Sequence, residues 1–156
     1  MKKKFLIPIL CLLGFSGSVN ALCFQAAGLR YQVDPLLLKA MAVQESGLDP
    51  RAVNINRNKA GKALSTDYGL MQINSRHIPT LVSMGVIKSK KELLSNACLN
   101  VQIGAWILAK HLQRCGVNWP CLGSYNAGLA RHNHPRCMKY ARRVYQHYQQ
   151  LRVQTP

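Results

Sequence analysis

Carboxylates are scarce in this 156-residue chain: Asp34, Glu45, Asp49, Asp67 and Glu92 are its only acidic residues, so acid–base chemistry can be narrowed by elimination. Asp34 stands before Pro35 at the start of an apolar helical pattern and serves as a cap. Glu92 completes Ser89-Lys90-Lys91-Glu92, the pattern of a capping box, and Asp49 lies past a helix end. Glu45 differs. At helical spacing it follows Leu38, Met41 and Ala42 on one face and continues an apolar stripe. Burial beside apolar side chains disfavours the carboxylate and raises its pKa, and the carboxyl end of a helix pushes the same way. A glutamic acid that keeps its proton near neutral pH can hand it to a leaving group, as general acid catalysis requires. Spacing alone is equally met by a glutamate turned to solvent at a frayed helix terminus.

The elements that would hold this group are mostly helical. A short helical turn is predicted over Phe24–Arg30, and Asp34-Pro35 opens a helix over Leu36–Glu45 that Gly47 and Pro50 bring to a stop. Residues 49–67, rich in Asn, Gly, Ser and Thr, read as a loop or a small irregular hairpin. Tyr68–Asn74 fits neither helix nor strand; its glycine and amides imply backbone packed close to something. Further helices are predicted from Glu92 through Leu94, from about Asn100 to Leu112, from Leu122 to Ala127 after Pro120, and from Met138 to about Leu151. Trp106 and Trp119 are expected in the core, and His77, His111, His132, His134 and His147 at the surface with no metal-binding arrangement. The fold class is mainly α, with a small irregular or β-hairpin-like excursion and nothing that calls for a large sheet.

Lys2, Lys3 and Lys4, the apolar run Phe5–Phe15 and small residues up to Val19-Asn20-Ala21 form the pattern of a signal peptide spanning residues 1–21, cleaved after Ala21. The run is about half the length of a bilayer-spanning helix, which argues against permanent membrane insertion. Residues 22–156 then make one domain, with neither linker nor repeat. The whole chain carries 21 Lys and Arg, a net charge of +16, so a polyanionic partner is expected. Export points that charge toward the polymers and anionic surfaces of a cell envelope and away from nucleic acid. The cysteines beyond the signal are Cys23, Cys98, Cys115, Cys121 and Cys137. In an oxidising compartment they suit two disulfides and one leftover thiol, and they are too scattered for a zinc site. Cys23 is expected to pair with Cys98, fastening the amino-terminal segment to the middle of the domain. The second pair, among Cys115, Cys121 and Cys137, stays open.

Ordered sequence blocks then carry a resemblance. Ala42–Pro50 with its Glu45-Ser46-Gly47 core, Asp67–Asn74, Gly123–Gly128 and Tyr140-Ala141 resemble, in order and spacing, the lytic transglycosylase domain of the lysozyme-like superfamily. More narrowly, the chain is similar to the small exported transglycosylases that accompany bacterial secretion and conjugation machines and type IV pili. The resemblance covers about residues 22–150. It implies a lysozyme-like helical domain with a glycan-binding cleft, with Glu45 as catalytic acid and base and Ser46 orienting substrate or the glutamate. It also implies that Met71, Gln72 and Asn74 lie near the scissile bond, that Tyr125, Asn126 and Gly128 form the opposite wall, and that Tyr140 reaches back to Glu45. Ser124 stands where the family usually has alanine or glycine, a mild departure.

The implied substrate is peptidoglycan, cut in the periplasm at the β-1,4 bond between N-acetylmuramic acid and N-acetylglucosamine, with 1,6-anhydromuramoyl ends and no cofactor or metal. The implied partners are components of a secretion, conjugation or pilus apparatus, for which the wall is opened locally. Ordinary glycosidases use two carboxylates, and Asp67 is the candidate second one. It either stabilises an oxocarbenium-like state, which would permit lysozyme-type hydrolysis, or braces the asparagine-rich excursion through hydrogen bonds. A groove that binds glycan without turnover is the reading from outside enzymology.

Overall fold

The computed structural model describes residues 19–154. The predicted signal peptide lies outside them except for its last three residues, which begin the first helix. Helix α1 (Val19–Tyr31) is longer than expected and is followed by α2 (Pro35–Ser46). The excursion is a true antiparallel hairpin, β1 (Val53–Arg57) and β2 (Ala63–Tyr68), extended by the two-residue strand β3 (Ile73–Asn74). Helices α3 (Ile78–Ser83), α4 (Glu92–Ser95), α5 (Ala97–Cys115), α6 (Trp119–Ala127) and α7 (His134–Gln154) complete a mainly helical, lysozyme-like domain. No helix among the described residues is long and apolar enough to cross a membrane.

Local chemistry accounts for most boundaries. Asp34 Oδ1 accepts from the Leu36 N–H at 2.8 Å and Pro35 occupies the first turn of α2, where its missing donor costs nothing. Asp34 Oδ2 also accepts from Tyr148 Oη at 2.6 Å, tying the end of α7 to the start of α2. Glu92 Oε1 accepts from the Lys88 and Ser89 N–H groups, so the carboxylate half of the expected capping box forms and supports a single turn. Helix α3, with Leu81 buried, was not anticipated, because its six residues span too few turns to show a period.

The core is continuous from α1 through α7 and includes Phe24, Leu38, Met41, Leu70, Met71, Ile73, Val101, Leu108 and Val144. Leu38, Met41 and Ala42 are fully buried, so the predicted inner face of α2 is the real one. The Cys23–Cys98 disulfide joins α1 to α5 as expected, Cys115–Cys121 links α5 to α6, and Cys137 is a buried free thiol. Where α6 crosses α7 the backbones nearly touch: a Cβ on Gly123 would lie 2.1 Å from the Cys137 carbonyl oxygen. Trp106 packs against the core with Lys110 Nζ 4.5 Å over its ring. Trp119 departs from expectation: it is 40% exposed and meets Tyr145 edge-on. As the first residue of α6 it projects past the end of the packed face.

The sequence places the start of α5 at about Asn100, yet the helix begins at Ala97 under a cap from Asn96, whose Oδ1 accepts from the Leu99 N–H. Asn100 instead points into the core, fully buried. Its Oδ1 accepts from the Met71 N–H at 2.8 Å, and its Nδ2 donates to the Tyr68 and Leu93 carbonyls at 2.8 and 2.9 Å. Gly69 sits directly against it at φ 75°, a left-handed conformation in which a side chain would be strained and would collide with the Asn100 amide. One buried amide therefore holds the Tyr68–Asn74 turn. Asn100→Leu is expected to lower unfolding free energy by about 3 kcal/mol or more, since it strands three backbone groups. A urea midpoint indistinguishable from that of the parent protein would disprove this.

Candidate active site

A cleft of about 680 Å³ runs between the inner face of the sheet and helices α5 and α6, with Glu45 on its wall at the last full turn of α2. The pleat of the sheet places Asn54, Asn56, Ser65, Asp67 and Asn74 on one face, because Asn54 and Asn74 both register against Asp67 and Asn56 against Ser65. Asp67 Oδ2 accepts from Asn56 Nδ2 at 2.7 Å, and Oδ1 from Asn74 Nδ2 at 2.6 Å. Asn74 Nδ2 also reaches Ser65 Oγ, and Asn74 Oδ1 caps the following short turn through the Arg76 N–H. Both Asp67 oxygens are thus occupied by amide donors, which fix the orientation of the carboxylate.

Glu45 is surrounded differently. Tyr140 Oη, from α7, donates to its Oε1 at 2.6 Å. Burial is the largest influence and raises the Glu45 pKa to about 7; the tyrosine bond lowers it, and the negative charge of Asp67 raises it. The two phenols nearby remain protonated: burial, then the charge of Glu45, pushes Tyr125 and Tyr140 well above 10. Both are therefore hydrogen-bond donors at any working pH. The cleft holds one carboxyl group that titrates near neutrality, a property that suits proton transfer.

The expected site residues divide by what their side chains do. Glu45, Asp67, Gln72, Asn74, Tyr125, Asn126 and Gly128 line one cleft. Ser46 turns away from it: its Oγ donates to the Leu70 carbonyl at 2.9 Å and the Ala42 carbonyl at 3.2 Å, clamping the end of α2 to the Gly69–Gln72 turn. Met71, expected near the scissile region, has its side chain wholly buried against Gly104, and only its carbonyl reaches toward the site, accepting from Tyr125 Oη at 2.8 Å. Met71 fills the core because α5 has no side chain at Gly104 and leaves room there. Gln72 takes a left-handed backbone at φ 48°. Its side chain offsets that strain by donating to the Gly69 and Ala52 carbonyls and accepting from Asn54 Nδ2.

Two histidines expected at the surface, His77 and His111, belong to the cleft wall. His77 ends a short turn after β3, and its pKa is lowered by burial, then by Lys110 and Arg76, against an opposing pull from Asp67. His111, on α5, is lowered by burial and by the charges of His77, Arg114 and Lys110. Its Nδ1 lies 2.7 Å from Ser124 Oγ. Position on α5 was legible from the sequence, but which face would meet the cleft was not. Arg57, Arg76 and Arg136 also line the walls and make them hospitable to an anionic polymer. Among the described residues no group of His, Cys, Asp or Glu is arranged to hold a metal ion.

Comparison with known proteins fits this geometry. A peptidoglycan-binding-like protein of Escherichia coli O157:H7 is 46% identical over 132 residues, covering 85% of this chain and 79% of its own length. Protein IpgF of Shigella sonnei is 36% identical over 152 residues, 97% of this chain and 94% of its own. Invasion protein IagB of Salmonella typhimurium (strain SL1344) is 36% identical over 148 residues, 95% and 88% of the respective chains. The family model described as the transglycosylase SLT domain matches residues 22–147, which takes in the glutamate, the amide-bearing sheet, both cleft-facing helices and Tyr140. The chain belongs to the transglycosylase SLT domain family.

Proposed function

We propose that the protein is a peptidoglycan lytic transglycosylase that cleaves the β-1,4 bond between N-acetylmuramic acid and N-acetylglucosamine and leaves a 1,6-anhydromuramoyl end. The observation that carries this reading is the pairing of a protonatable Glu45 with an Asp67 whose oxygens are both engaged by asparagine amides. Near pH 7 about half of Glu45 is protonated and can give its proton to the glycosidic oxygen as the C1–O bond breaks. Tyr140 Oη then stabilises the new carboxylate. That carboxylate takes the proton of the muramoyl C6 hydroxyl while its oxygen bonds to C1, which closes the ring and restores the acid. No water is consumed, and the substrate's own N-acetyl group stabilises charge at C1. The negative charge of Asp67 adds to the effect of burial in raising the Glu45 pKa, and it favours an oxocarbenium-like centre.

Mass spectrometry of muropeptides released by residues 22–156 tests the reading. Products lighter by one water than reducing-end muropeptides are expected. Reducing-end products would favour the hydrolytic, lysozyme-type alternative, in which Glu45 works with Asp67 across the same cleft. No products would favour a non-catalytic peptidoglycan-binding assembly role, a reading that the name of the Escherichia coli relative supports. The relative named as an invasion protein supports a role in opening the wall for an envelope-spanning secretion machine, which would place the protein in the periplasm.

Tyr140→Phe separates the two duties of that phenol. Its hydrogen bond lowers the Glu45 pKa, so its loss moves the pKa up from about 7. The alkaline limb of the pH–rate profile, where the acid loses its proton, is then expected at higher pH than in the parent protein. Turnover falls roughly 10- to 100-fold, the worth of one hydrogen bond to a charged group. An alkaline limb that stays in place would sink this account.

A further inference from the structure

The proposed mechanism leaves one feature of the cleft wall unused: the pair His111 and Ser124. Ser124 is 2% exposed on α6, and its hydroxyl donates to the Cys121 carbonyl of the preceding turn at 2.6 Å. The same oxygen lies 2.7 Å from His111 Nδ1. With the hydroxyl proton directed to Cys121, the oxygen can only accept from the imidazole, so Nδ1 carries the hydrogen. In the neutral ring Nε2 is then a bare acceptor. Among the described residues Nε2 has no hydrogen-bond partner, and it is not among the buried polar atoms left unsatisfied, so it is open to the cleft that His111 lines. Elsewhere on that wall Arg57, Arg76 and Arg136 can only donate, while the Asn56 and Asn74 amide nitrogens are already engaged by Asp67 and Ser65. An acceptor set in one place by a buried serine is a device for choosing which group of a ligand lies against it.

We infer that His111, oriented by Ser124, binds the glycan by accepting a hydrogen bond at Nε2 from an N–H or O–H of an N-acetylated sugar. This rests on the glycan-cleaving reading above and adds a specificity contact to it.

The two amide isosteres of histidine separate binding from bracing. An asparagine amide nitrogen occupies the place of Nδ1 and can keep the bond to Ser124, whereas a glutamine amide oxygen occupies the place of Nε2 and can keep the bond to a sugar. Ser124 stays satisfied in either case through Cys121. With soluble peptide-bearing glycan strands as substrate, His111→Gln is expected to keep KM within about threefold. His111→Asn and His111→Ala should raise it about tenfold, with kcat changed less. Thermal melts confirm that each variant is folded. The reverse order, with asparagine like the parent and glutamine like alanine, would show a purely structural role and overturn the inference, as would no change in any variant. In the Glu45→Gln protein, nitrogen NMR of the imidazole should show Nδ1 protonated, with the bare Nε2 resonance moving when N-acetylglucosamine tetramer is added. A protonated Nε2, or a resonance that does not move while the tetramer binds, overturns it too. A parent protein that neither cleaves strands nor binds the tetramer would instead remove the underlying reading, and this contact with it.

Discussion

Glu45→Gln is expected to abolish release of anhydromuropeptides while leaving the fold intact. The amide keeps the size of the side chain and an oxygen that can still accept from Tyr140 Oη, but it has no proton to give. General acid–base assistance typically contributes about 10²–10⁴-fold, and in the proposed mechanism one group serves both proton transfers, so a loss at or beyond the upper end is expected. Stability runs the other way. The folded-state pKa of Glu45 is about 7 against 4.5 for the free side chain, so the folded protein binds more protons between those values. Its contribution to stability is present below pH 4.5 and is lost as pH rises to 7. The neutral glutamine escapes that loss, and the variant should melt at or above the parent temperature at pH 8. A variant that is inactive and also less stable at pH 8 would point to a structural role. A variant that retains a tenth of the activity would eliminate Glu45 as the acid.

Removing the Cys23–Cys98 disulfide is expected to have the largest effect on stability. It closes a loop with a sequence separation of 75, and the chain-entropy relation assigns such a loop about 4.5 kcal/mol. Cys115–Cys121 closes a separation of only 6, for which the same relation gives about 2 kcal/mol. Against a typical unfolding free energy of about 5–15 kcal/mol, the first loss is a large share of the whole and the second is not. Paired serine replacements in a Cys137→Ser background, which prevents thiol exchange, should therefore show urea midpoints in that order. Equal losses would mean that the constraint on the unfolded chain is not what the long-range bridge provides. Helix α1 is tied to the rest of the domain chiefly through its packing on α5 near Cys98, so its release should also be visible as faster amide exchange in Val19–Tyr31.

The sequence made Glu45 conspicuous because a helix has a period and a cap: Asp34, Pro35 and the Leu38, Met41, Ala42 stripe place it on the inner face without knowledge of anything distant. The same local logic located α6, α7 and the polar excursion. It failed where the deciding partner is far along the chain. Asn100 is placed by the sequence at the start of a helix, and only the Tyr68–Met71 backbone some 30 residues earlier shows why it is buried. Met71 sits in an amide-rich block, yet the gap opposite Gly104 on α5 draws it into the core. His111 gave no sign of its place because its partner Ser124 lies across the α5–α6 turn. For Asp67 the sequence left two roles open. Its oxygens bond to Asn56 and Asn74, as bracing would require, and it lines the cleft, as an electrostatic role would require.

The near-contact of Gly123 with the Cys137 backbone has a mechanical consequence. Helices α6 and α7 cannot slide or separate there without breaking a close-packed crossing, which couples Tyr125, bonded to the Met71 carbonyl, to Tyr140, bonded to Glu45 at the end of α2. The opposing sheet is built differently: every residue of β1 is exposed, and side-chain amides rather than a packed core join it to its neighbours. The cleft thus has one wall of close-packed helices and one wall whose outer strand lies outside the core.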